Sequence, residues 1–240
     1  MTRDAGAEMQ ETPRPHVGQP GAIAQWSPHL AAAAQPLYLS FIGGPDPRYT
    51  PQLLALLERH QAKATFFVSG RRAARFDYLI RRLLREGHAL GHCGYSGRPA
   101  LAQIPGQARA DVRLGVEVLR NLTGRAPMLY CPPARLGSRA MQAEARALGA
   151  AVLSGARRLP RPGPQAEPQA LLRALHAAAP GDILLASDAG GLWHQPQGLL
   201  DALPRFLTSL RFHGGEAAVL QPQMLAAPHA AGGGGVRAAC

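Results

Sequence analysis

"SFIGGPDPRYTPQLLALLERHQAKATFFVSG", residues 40–70, decides the fold. An apolar run over residues 37–41 reads as a strand and stops at Gly43-Gly44-Pro45. An amphipathic helix is expected over residues 50–61, with Thr50 as its N-cap and Pro51 in its first turn. A second strand follows at residues 64–68. Catalytic loops of α/β proteins sit at such strand ends, and acids, histidines or a nucleophile are expected there. Here the first strand delivers Ile42, Gly43 and Gly44 instead.

The alternation continues outward from this unit. Further strands are read at "HALGHCG" (88–94), "PMLYCPP" (127–133), "AAVLSG" (150–155), "DILLASD" (182–188) and "EAAVL" (216–220). Helices are read at 76–87, 106–124, 138–149, 167–181 and 197–214. Helix 76–87 closes with Gly87 in the C′ position. In helix 106–124, Ala108, Val112, Val116, Leu119 and Leu122 are spaced for one buried stripe. Seven strands alternating with six helices imply an α/β fold with a parallel sheet, here a small, incomplete barrel. Residues 1–35, rich in Pro, Gly, Ala and Gln, read as a flexible lead, and 227–240 as a disordered Gly/Ala tail. One folded domain is expected over 36–226.

Composition bounds the function. The chain has 240 residues and a formal net charge of +11, and Lys63 is its only lysine. An arginine-rich surface favours anionic or polar partners without identifying them. Arg71, Arg72, Arg75, Arg81, Arg82 and Arg85 fall on one stretch, which reads as a solvated helix face. Aromatic residues are only 5% of the chain, too few for base-stacking platforms, so nucleic acid is not an expected partner. Three cysteines, Cys93, Cys131 and Cys240, without a CxxC, give no disulfide framework. No apolar signal segment or membrane-length run is visible, so a cytoplasmic location is the expectation.

Five fragments in order now carry a resemblance: "ATFFVSG", "EGHALGHCGYSGRP", "YCPPARLG", "GDILLASD" and "LDALPRFLTSLRFHGGEAAVL". Over about residues 37–225 the chain resembles the polysaccharide deacetylase family, carbohydrate esterase family 4 or NodB-homology domain. The resemblance implies a distorted (β/α)7 barrel. It further implies a divalent metal, usually zinc, on one Asp and two His, with a second Asp as base and a late His as acid. The implied reaction removes acetyl groups from N-acetylglucosamine polymers.

The matched positions depart from that chemistry. Where the family has TFDDGP, Ile42 stands at the base and Gly43 at the metal-ligand Asp. Cys93 and Gly97 stand at the two metal-ligand histidines, Cys131 at the arginine that pairs with the base, and Ser187 at the acid histidine. Zinc needs about three protein ligands with one open position. Ile42, Gly43 and Gly97 offer no ligating side chain. Replacing the Asp and the Arg together is physically coherent, because a buried arginine without its carboxylate costs on the order of 3–5 kcal/mol. The expectation is no metal cofactor and a pocket repacked as apolar.

Three alternatives stay open on the residues alone. A rebuilt metal site could draw on Asp46, His88, His92, Cys93, Cys131, Asp188 and His194. Against it, His88 matches a framework position, and His92 is one residue from the ligand position, which on a strand turns it to the other face. Cys93 could be a nucleophile if His92, His194 or Asp188 approached as base. A Cys93–Cys131 disulfide is geometrically conceivable, although a cytoplasmic setting opposes it. Finally, Tyr95, Tyr130 and Trp193 could line a mouth that grips a glycan or a protein without turnover. The sequence therefore points to a deacetylase-like domain without catalysis, acting by carbohydrate binding or regulation. A deacetylase with a rebuilt site and a protein-interaction scaffold are the rivals.

Overall fold

The computed structural model describes residues 35–98, 104–133, 138–160, 168–190 and 196–226. Apart from Gln35, the lead and tail assigned from the sequence lie outside these residues, as do Trp193, His194 and Cys240. Eight strands run β1 Leu37–Ile42, β2 Thr65–Val68, β3 Ala89–His92, β4 Leu129–Tyr130, β5 Ala151–Val152, β6 Arg157–Arg158, β7 Ile183–Ser187 and β8 Ala217–Ala218. The helices are α1 Thr50–Arg59, α2 Gly70–Arg75, α3 Asp77–Arg85, α4 Pro105–Thr123, α5 Arg139–Ala147, α6 Pro168–His176, α7 Gln197–Phe212 and α8 Pro222–Ala226. Every strand pairing is parallel, in the order β5-β4-β3-β2-β1-β7-β6, with β8 against the start of β1. This is the expected distorted (β/α)7 barrel, curled and open.

All seven expected strands are present. The sequence reading missed β6, two arginines with no apolar alternation, and the short helices α2 and α8. The arginine-rich stretch is therefore two helices, and α3 satisfies part of its own charge through Arg81–Asp77 and Arg82–Glu86 pairs.

Strand alternation sorts the core into two layers. On β1, Leu37, Leu39 and Phe41 point outward into the large cluster under α1, α6 and α7, joined by Phe66, Leu184 and Phe206. Tyr38 and Ile42 point inward, where they meet Phe67, Cys93, Leu129, Cys131, Leu153, Ile183 and Leu185. A third cluster packs Tyr130 and Val152 beneath α4 and α5, against Val112 and Met141. The inward layer ends at the carboxyl end of the sheet, where parallel α/β folds place their sites.

Candidate functional site

The register brings the matched positions together. Ile42 pairs with Ser187 on one side and with Phe67 on the other. The Cys93 N–H donates to the Val68 carbonyl and the Cys131 N–H to the His92 carbonyl, each at 3.0 Å, so both cysteines continue the sheet at this end. A Cβ on Gly43 would lie 3.9 Å from Ser187 Oγ, and one on Gly97 would lie 3.8 Å from Cys93 Sγ. Six residues from four strand ends thus ring one small region.

Its chemistry is muted. Cys93 and Cys131 are buried free thiols. Burial, with Cys131 and Asp188 nearby, pushes the Cys93 thiol far above its ordinary value. Burial pushes Cys131 up to about 12, partly offset by Arg158. Neither thiol is a ready thiolate, so neither is primed as a nucleophile or soft ligand. The Ser187 hydroxyl is bonded within its own loop, to the Ala189 backbone at 3.3 Å. Gly43 (φ +99°) and Gly97 (φ +66°) hold backbone conformations that L side chains rarely adopt.

A polar strap lies beside this region. Asp188 is buried and accepts from the Gly44 N–H and the Thr50 hydroxyl, both at 3.0 Å. Thr50 Oγ1 in turn accepts from the Asp46 N–H at 2.8 Å. Asp46 accepts from the N–H groups of Arg48 (3.0 Å) and Gly190 (3.1 Å), and from the Arg72 guanidinium at 3.2 Å. The strap ties the β1–α1 loop to the segment after β7. The two carboxyl groups respond oppositely. Burial raises the Asp188 pKa, and its two donors only partly offset that. Burial also acts to raise Asp46, but the bonds from Arg48, Gly190 and Arg72 outweigh it and hold the group below the usual carboxylate range. Thr50 is consequently not the N-cap: it is the first residue of α1, Tyr49 precedes it, and its hydroxyl serves the strap.

The remaining candidates disperse. His92 points outward, fully buried and 4.9 Å from the Tyr130 ring, and burial lowers its pKa to about 3. His88 lies before β3, at the opposite end of the sheet, where its Nδ1 accepts from the Ala64 N–H at 3.2 Å. Burial lowers it to about 4. Tyr130 corrects the expectation of a mouth-lining aromatic. Its neighbour Cys131 faces inward, so alternation turns Tyr130 outward, fully buried beneath α4 and α5. Tyr95 is half-buried and packs over Gly70. Among the described residues, no three His, Cys, Asp or Glu side chains cluster as a metal site. The side chains at the matched ligand positions, two glycines and a suppressed thiol, do not fit a divalent metal.

The profile of the family described as Polysaccharide deacetylase matches residues 30–153. This chain belongs to the polysaccharide deacetylase family. It is 38% identical over 96 residues to a peptidoglycan-N-acetylglucosamine deacetylase of Bacillus cereus, covering 40% of this chain and 34% of the relative. It is 40% identical over 65 residues to a chitooligosaccharide deacetylase of Sinorhizobium fredii, covering 27% and 30%. The chain thus matches about a third of the length of these curated relatives. The fold agreement is broader. A peptidoglycan N-acetylglucosamine deacetylase crystal structure superposes with TM-score 0.68 at 26% identity, over 77% of this chain and 86% of that one. A polysaccharide deacetylase from Bacillus cereus gives 0.65 at 25%, over 79% and 93%.

Within this polysaccharide deacetylase fold, the strap is the feature that sequence reasoning missed. From the sequence, Asp46 reads only as a metal donor, and Asp188 as a metal donor or a base for Cys93. The signal that could have revealed the strap was Thr50, whose hydroxyl was spent on a helix cap.

Proposed function

We propose that this polysaccharide deacetylase family member binds a glycan without hydrolysing it. The observation that carries the reading is the ring of Ile42, Gly43, Cys93, Gly97, Cys131 and Ser187 at the carboxyl end of the sheet. Amide hydrolysis needs a group to deprotonate the attacking water and another to protonate the leaving amine. In the ring, two positions have no side chain, one is aliphatic and two are buried thiols held protonated. The sixth is a hydroxyl closed on its own loop. Asp188, an acid bordering the ring, is buried with its oxygens committed to Gly44 and Thr50. The glycan half of the reading is supported by the family and by relatives whose names specify peptidoglycan or chitooligosaccharide.

The test is calorimetric titration with a chitooligosaccharide, followed by mass spectrometry of the recovered sugar, with and without added zinc. Binding with the sugar mass unchanged is expected. Loss of acetyl groups under either condition would refute the non-hydrolytic reading, and absence of any saccharide binding would refute the glycan half.

A further inference from the structure

Beside the strap, on the flank of the mouth, lies an arginine-lined cleft of about 470 Å³. Four guanidinium groups border it: Arg48 from the β1–α1 loop, and Arg71, Arg72 and Arg75 from α2. One carboxylate, Asp46, faces them and stays ionised, since its pKa is lowered. Asp46 occupies Arg48 and Arg72. Arg71 and Arg75 are exposed and have no carboxylate partner among the described residues, and the Arg75 guanidinium lies 5.4 Å from the centre of the Phe76 ring. The cleft therefore holds three more cations than anions, with Phe76 and Pro47 adding apolar surface.

We infer that this cleft binds the anionic groups of an acidic saccharide, carboxylate or phosphate, as the ligand extends from the mouth. The inference deepens the glycan-binding reading above and rests on it. Guanidinium groups present planar paired donors that match carboxylate and phosphate oxygens, which an ammonium does not. The strap sets their spacing. Arg72 donates to both the Pro45 carbonyl (3.5 Å) and Asp46 (3.2 Å), fixing α2 against the loop that carries Arg48. The Gly190 N–H on the same Asp46 oxygen ties the cleft to the segment after β7, which contributes Ser187 to the ring. A saccharide over the ring would reach the cleft directly. Arg71 and Arg75, spared by Asp46, are the groups left to meet its charge.

The experiment compares three probes on the full chain by calorimetry: an oligogalacturonate, a phosphorylated oligosaccharide, and a neutral chitooligosaccharide of equal length. The test variant is Arg71→Gln/Arg75→Gln. The control, Arg59→Gln/Arg205→Gln, removes the same charge from exposed positions on α1 and α7. Thermal melting establishes that both are folded. An acidic probe is expected to bind more tightly than the neutral one, and the better of the two identifies the anionic group. The test variant should lose about tenfold or more in that affinity, the control much less, and the wild-type preference should shrink with added salt. Equal binding of neutral and acidic probes, or equal loss in both variants, would overturn the cleft while leaving glycan binding intact. Equally tight binding of a single-stranded oligodeoxynucleotide of matched charge would overturn saccharide selectivity. No binding of any saccharide would overturn the glycan reading itself, and the cleft's role with it.

Discussion

Ile42→Asp would place a carboxyl group where the family resemblance expects one, in surroundings that no longer suit it. Ile42 is 6% exposed and packs in the inward cluster with Phe67, Cys93 and Cys131. Removing its side chain forfeits about 2–3 kcal/mol of apolar burial. The introduced carboxyl must shed its hydration or take up a proton, at a further cost of about 1–3 kcal/mol. The sum, about 3–6 kcal/mol, is a large part of a typical domain's 5–15 kcal/mol and corresponds to a Tm fall of about 10–20 °C. Burial raises the folded-state pKa of that carboxyl above its unfolded value near 3.9. The deficit is then smallest below about pH 4 and grows by up to about 1.4 kcal/mol per pH unit until the folded pKa is passed. Cys131→Arg alone buries an unpaired cation, at about 3–5 kcal/mol. Because the two residues share one cluster, the double variant should be less destabilised than the sum of the singles, by about 1 kcal/mol or more. Urea unfolding followed by circular dichroism, at pH 4.5 and pH 7, measures each quantity. An Ile42→Asp protein within about 1 kcal/mol of wild type, or strict additivity in the double, would refute the placement of these side chains.

The strap carboxyls should show opposite pH signatures. The Asp188 pKa is raised, so its contribution is complete below its unfolded pKa and fades as pH rises through the folded value. Asp46 is lowered, so its contribution holds above its unfolded pKa and fades as pH falls through the folded value. Asp188→Asn should therefore abolish a gain in stability on acidification toward about pH 4, and Asp46→Asn a loss below it, both read by melting across pH. Acid limbs identical to wild type would contradict this. In a Cys240→Ser background, Cys93 and Cys131 should resist a thiol reagent in the native state and react on denaturation, since both are buried and held protonated. Rapid native labelling would contradict their burial. Gly115→Ala, which in an exposed helix would gain up to about 1 kcal/mol, should instead cost about 1–3 kcal/mol in denaturant unfolding. Its Cβ would lie 2.7 Å from the Gly94 carbonyl carbon and 2.9 Å from the Tyr95 nitrogen. A stabilised variant would show that α4 does not pack this closely.

The fold was legible because the apolar strands are distinct and ordered motifs surround them. "ATFFVSG" and "DILLASD" both became strands flanking β1, in the register that aligns Ile42 with Ser187. What escaped was short or made of charge. Arg157–Arg158 pairs with β7 through its backbone, which side-chain pattern does not report. Helix α2 buries little beyond Gly70 and Ala73, so it has no periodic stripe. At the site, alternation places His92 on the outer face, and the same alternation turns Tyr130, beside inward-facing Cys131, outward as well. The strap's links to Asp188 and Gly190 were illegible because they join residues 138 to 144 positions apart.

The most direct test of the central claim is the zinc content of protein purified without chelator, measured on the same sample as acetate release from a chitooligosaccharide. The account predicts far less than stoichiometric zinc and acetate at background, before and after zinc is supplied. Stoichiometric, tightly held zinc with zinc-dependent acetate release would contradict it.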